Sequence, residues 1–197
     1  MTTDRPELTV SDLAAWRGWL EKHDSDSDGV WLVLAKKGTT RPTSLTYDQA
    51  LEEALCHGWV DGQLARSEAG TFLRKFTPRG RGSAWSKRNT TLAERLIAEG
   101  RMRPAGLAAV ARSKSEGTWD AAYAGAATIE VPGDLAAALV AEPAAREAFD
   151  RLDGANRYSV LYRVATAKRP ETRQRRIEQL VTMLAHGETI YPPRTPR

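Results

Sequence analysis

The chain has 197 residues, 41% of them hydrophobic and 27% charged, and a net charge of +4, which fits one folded domain or two small ones and excludes a disordered chain. A single cysteine, Cys56, excludes an intrachain disulfide and a cysteine-rich zinc site. No stretch approaches the roughly 18–20 apolar residues of a membrane span. Residues 1–20, with Asp4, Arg5, Glu7, Asp12 and Arg17, also lack the apolar h-region of a secretory signal, so a cytoplasmic location is expected.

In chain order, Ser11 reads as the N-cap of a helix with Leu13, Trp16 and Leu20 on one face. Asp24, Asp26, Asp28 and Gly29 match the start of a calcium loop. The twelfth position is Ala35 rather than a bidentate Glu, so no metal site is expected. Residues 30–35 form an unbroken β-forming run, read as a buried strand. Thr46 and Gln49 form a capping box for a helix that buries Ala50, Leu51, Ala54 and Leu55 and ends at Gly58. On that helix the Glu52-Glu53 pair is placed toward solvent. Cys56 reads as a core residue and His57 as a helix-end cation, because adjacent helical side chains point about 100° apart.

Trp59-Val60 reads as a short strand ending at Asp61-Gly62. A hairpin then follows, with strands over 64–68 and 71–77 around Ala69-Gly70. Asn89 is read as the cap of a helix burying Leu92, Ala93, Leu96 and Ile97, and Pro104 as N1 of the next. Beyond Val131 the pattern is only helical, with Pro132, Pro143 and Pro170 at candidate starts. The expected fold class is α+β: a small, mostly antiparallel sheet with helices, followed by a C-terminal helical module. The expected organisation is an α+β part over 1–103, a connecting helix and loop over 104–130, a helical module over 131–190 and a loose tail over 191–197.

Charge is concentrated. Residues 1–71 carry net −5, residues 72–103 net +7 and residues 157–176 net +6. The loop Arg79-Gly80-Arg81-Gly82-Ser83 lies in the first basic block, ahead of a helix start. Glycines let successive N–H groups converge on an anion, and arginines add charge-assisted bonds. The anion-binding set expected here is Arg74, Arg79, Arg81, Ser83, Lys87 and Asn89. Phe72, Phe76 and Trp85 interleave with it and serve either as base-stacking platforms or as core. The second block places Arg169, Arg173 and Arg176 in one stripe at the start of the last helix. Cations there oppose the helix dipole, so a partner is expected: Glu142, Glu147, Asp150 and Asp153, or an external anion.

Residues 56–63 (Cys56-His57-Gly58-Trp59-Val60-Asp61-Gly62-Gln63), 74–79, 85–89 and 100–106 resemble the signature of the YdeI/OmpD-associated proteins. Residues 131–135 and 167–177 resemble that family's helical, bacteriocin-protection module. The resemblance spans about residues 8–188, and the family has Phe where His57 stands. It implies a link to resistance against bacteriocins and antimicrobial peptides, with some members described as periplasmic and porin-associated. It carries over no catalytic residue.

The expectation for function is a cytoplasmic, non-enzymatic binding protein, related to stress or peptide resistance, whose basic loop takes a small anionic ligand without a cofactor. One alternative is an enzyme on a phosphorylated or carboxylated small molecule with Asp61 as acid/base. Another, less favoured, is a nucleic-acid-binding regulator. The sequence sets no oligomeric state.

Overall fold

The computed structural model of the protein describes residues 5–167 and 169–192. Among them are a four-stranded mixed sheet and eight helices, an α+β architecture with a C-terminal set of helices. Two units separate, Met1–Ala122 and Tyr123–Arg197. The outermost tail expected to be loose, 193–197, lies outside the described residues, as does Lys168 of the second basic block.

The first unit runs β1 (Glu7–Leu8), α1 (Leu13–His23), β2 (Val30–Ala35), α2 (Tyr47–Cys56), β3 (Trp59–Ser67), β4 (Thr71–Pro78), α3 (Lys87–Ala98) and α4 (Pro104–Ser115). The sheet order is β1-β2-β4-β3, with β1 parallel to β2 and the other pairs antiparallel. Strand alternation sends Val30, Leu32 and Leu34 to the same face as their cross-strand partners Phe76, Arg74 and Phe72. Trp16 and Leu20 of α1 and Ala50 and Ala54 of α2 close that face into a core containing Trp59 and Phe76. A second core joins α2, α3 and α4 through Leu51, Leu55, Trp85, Ala93, Leu96 and Val110. Each large side chain so buried contributes about 1.5–3 kcal/mol before the entropy of ordering.

α4 meets the end of α2 at backbone distance. A Cβ on Gly106 would lie 2.2 Å from the Cys56 carbonyl oxygen, which already accepts the Arg103 N–H at 3.0 Å. Gly58 makes the turn between α2 and β3 with φ +75°, a conformation that costs glycine nothing.

Several local expectations are corrected. Asp12, not Ser11, caps α1 by accepting from the Ala15 N–H, because a carboxylate outcompetes the neighbouring hydroxyl. Ser86, not Asn89, caps α3, and Asn89 is the N3 residue whose N–H the Ser86 hydroxyl accepts. β3 is continuous across Asp61-Gly62, its irregularity absorbed as register shifts between 61 and 64 and between 64 and 67. Ile97 is exposed. β1, only two residues long, has no signal in the sequence pattern.

The second unit contains α5 (Gly133–Ala141), α6 (Pro143–Asp150), α7 (Gly154–Ala165) and α8 (Pro170–Ala185). Leu135, Leu139, Phe149, Val160, Leu161, Val164, Ile177, Leu180 and Leu184 form its core at helical spacing. No helix of the described residues is long and apolar enough to cross a membrane.

Candidate functional site

The basic loop is built onto α4. β4 ends at Pro78, and the Arg79 N–H donates to the Gly58 carbonyl at 2.9 Å. The Arg79 guanidinium then turns inward, 3.5 Å from the centre of the Trp85 ring, and donates to Ser83 Oγ and the Ala84 carbonyl. Trp85 is itself anchored: its Nε1–H donates to Ser113 Oγ at 2.7 Å, and its ring contacts Trp119 at 4.7 Å. Arg112 of α4 donates to the Arg79 carbonyl, and the Gly82 N–H donates to the Glu116 carboxylate.

The six residues of the expected anion set therefore occupy different environments. Arg79 is buried in the loop's interior, Ser83 accepts from it, and Asn89 is buried in α3. Arg74 is taken up by Asp61, with which it pairs at 2.5 Å. Arg81 and Lys87 remain exposed, with no hydrogen bond or ion pair among the described residues. Two cations that sequence reading did not include, Arg112 on the Arg79 carbonyl and Lys114 over the Trp119 ring that packs on Trp85, also have no carboxylate partner among the described residues. Lys114 lies 5.2 Å from the Trp119 ring centre. At i and i+2 on α4 they share no helix face, so the sequence pattern carried no signal for them, and only the fold brings the end of α4 to the loop. Phe76 and Trp85 are core residues and Phe72 packs against the core, so none of the three forms an exposed stacking platform.

Asp61 accepts the Tyr47 hydroxyl at 2.8 Å and two N–H groups of Arg74. Arg74 and Arg88 both lie over the Tyr47 ring, at 5.1 and 5.3 Å. Burial and the Asp61 charge push the Tyr47 hydroxyl pKa up. Asp61 is thus engaged by three donors from two side chains.

A buried polar array lies at the other end of α2. Glu53, expected on the solvent face, is buried and accepts Nε and Nη2 of Arg17 at 2.8 and 2.9 Å. His57, expected to serve a helix end, is buried as well. Its Nδ1 is 3.2 Å from Asp24, and its Nε2 is 3.7 Å from Glu53. Burial alone would raise the Glu53 pKa, but His57 and Arg17 together hold it down at about 2. Burial likewise favours neutral His57, but Glu53 and Asp24 reverse this and raise its pKa. Burial pushes the Cys56 thiol up to about 11, leaving it an inert core group. α1 supplies the arginine that draws Glu53 inward, a tertiary override of the helical-face rule.

In the second unit the arginine stripe has a structural partner. Arg173 pairs with Asp134 through two bonds and donates to the Val164 carbonyl at 2.8 Å; Arg176 donates to the Arg163 carbonyl at 2.6 Å. These carbonyls belong to the C-terminal turn of α7, where the Val164 carbonyl also accepts the Ala167 N–H at 3.2 Å. The cations that oppose the α8 dipole are thus held by the negative end of α7. The acids expected as partners pair elsewhere: Glu147 with Arg151 and Asp150 with Arg146. Arg169 is exposed at the α8 N-cap.

Fold and site together define an α+β protein with a cation-flanked loop and a helical C-terminal unit. Residues 128–187 match the family model described as bacteriocin-protection, YdeI or OmpD-associated, and the chain belongs to the family of a domain of unknown function, DUF8412, which matches residues 8–109. The first match falls on the helical unit and the second on the sheet-bearing unit. No curated protein and no solved structure matches the chain.

Proposed function

We propose that the protein is a cytoplasmic, non-enzymatic binding protein of the bacteriocin-protection class that takes an anionic ligand on the surface around the basic loop. One observation carries this reading. Among the described residues Arg81, Lys87, Arg112 and Lys114 have no carboxylate within ion-pair distance, while the loop's acid, Glu116, is bonded to the Gly82 N–H. The Arg79–Trp85 stack holds the loop backbone in place, which lowers the ordering cost of binding. The engagement of Asp61 by Tyr47 and Arg74 supports a binding role over acid/base chemistry at that carboxylate.

Thermal unfolding at fixed ionic strength, with phosphate replacing chloride, tests the reading. A ligand at about 100 times its Kd adds about 2.7 kcal/mol to stability. The expected result is a phosphate-specific rise in Tm that Arg81→Ala/Lys87→Ala removes. Equal Tm values in both salts would reject it.

A further inference from the structure

We propose that the helical unit carries a second anion site, a cavity between α7 and α8 whose ligand is a soluble phosphate monoester bearing an apolar or aromatic group. The site shares no residue with the basic loop, so the two proposals stand or fall separately.

The cavity measures 430 Å³, within the roughly 300–1,000 Å³ of small-molecule sites. Tyr162 and Arg163 line it from α7, and Arg176, Gln179, Leu180 and Met183 from α8. Among the described residues no carboxylate lines it. The hydroxyl proton of Thr166, also at the wall, is spent on the Tyr162 carbonyl at 2.7 Å. Arg176 gives only Nη1 to the Arg163 carbonyl, which fixes the guanidinium and leaves Nε and Nη2 without an acceptor among the described residues. Among the described residues the Arg163 guanidinium has no hydrogen bond or ion pair, and neither has the Gln179 amide. Two acids, Glu178 and Glu188, line the adjoining groove, and Glu178 accepts from Gln174 at 2.9 Å.

The wall therefore offers two fork-shaped cations and neutral donors, which match a phosphate dianion in charge and geometry. The floor is different. Leu180 is buried, Met183 is half-buried, and the half-buried Tyr162 ring stands beside them. A bare phosphate would leave that apolar surface wet. A monoester with a flat or apolar group would cover it.

Calorimetric titration of the full chain with phenyl phosphate at fixed ionic strength tests the site. Arg163 is exposed and unpaired, so Arg163→Gln should keep the Tm of the unliganded protein. The same variant should weaken phenyl phosphate binding about tenfold, the effect of one lost charge-assisted contact. Arg81→Ala/Lys87→Ala should leave that affinity unchanged. Inorganic phosphate should bind more weakly than phenyl phosphate, and phenol should not bind. Failure of phenyl phosphate to bind, equal affinity in Arg163→Gln, or equal affinity for inorganic phosphate would overturn the proposal. Preferential binding to vesicles containing phosphatidic acid would overturn the assignment to a soluble ester.

Discussion

The Arg79 guanidinium lies 3.5 Å above the centre of the Trp85 ring, and both side chains are buried. This stack sets the conformation of a loop whose sequence alone suggests only an exposed cationic strand of glycines and arginines. Arg79 joins the loop to the second core of the first unit, since Trp85 is bonded to Ser113 and packed on Trp119.

Trp85→Ala should cost about 3–5 kcal/mol, the range for truncating a buried aromatic. Arg79→Lys should also destabilise, because an ammonium cannot reproduce the planar stack on Trp85 while Nη1 bonds to Ser83 and Ala84. Arg81→Ala, two residues on, should change stability by less than about 0.5 kcal/mol. Denaturant midpoints of the three variants check the ordering. An Arg81→Ala loss equal to that of Arg79→Lys would contradict the assigned division of labour.

Gly106→Ala should be destabilising although alanine is the better helix former. The added Cβ meets the Cys56 carbonyl oxygen at 2.2 Å and the Leu55 carbonyl oxygen at 2.9 Å, both backbone atoms of α2. Separating α4 from α2 to relieve this costs about 1–3 kcal/mol or more. Gly133→Ala, where nothing lies within 4 Å, is the control and should be tolerated. Thermal melts of the two variants decide the point.

The array of Asp24, His57, Glu53 and Arg17 predicts two pH windows. His57 has a raised folded pKa, so its contribution is complete below its unfolded value of about 6.5 and is lost as pH rises through the folded value. Glu53 has a folded pKa depressed to about 2. Its contribution is present above the usual carboxylate value and is lost as pH falls toward 2. Glu53→Gln leaves Arg17 and His57 short of their anion and should cost about 3–5 kcal/mol near neutrality. A stability–pH curve for His57→Gln should lose the decline above pH of about 6.5. A curve parallel to that of the parent protein would show that the imidazole plays no part in it.

The fold was legible where one element carries its own pattern. The Thr46–Gln49 capping box, the buried run Val30–Ala35 and the apolar stripes of α5 to α8 appear where periodicity and capping chemistry place them. Functional side chains were less legible because their settings depend on partners distant in sequence. Glu53 faces inward through Arg17, 36 residues away, and Arg74 leaves the basic block for Asp61 through strand alternation. The charge runs were visible. Which cations they leave unpaired was not, since α7's carbonyls and the Trp85 ring consume some of them.

Arg173→Ala should lower the stability of the helical unit by about 1–2 kcal/mol, since it removes both the Asp134 pair and a bond to the end of α7. Arg169→Ala should stay within about 0.5 kcal/mol, as an exposed N-cap residue without a side-chain cap bond. Helical circular dichroism through a urea titration separates the two. Equal losses would mean that the stripe acts as an undivided charge patch.

The central claim is that the loop surface, through its unpaired cations, holds an anion. Calorimetric titration with inorganic phosphate measures this directly, using Arg163→Gln as the background to weaken the contribution of the helical cavity. Saturable binding that Arg81→Ala/Lys87→Ala weakens by about tenfold or more, with unchanged folding, is the predicted result. Saturable binding of the same affinity in that variant, or no heat at all, would contradict the account and leave these residues as ordinary surface charge.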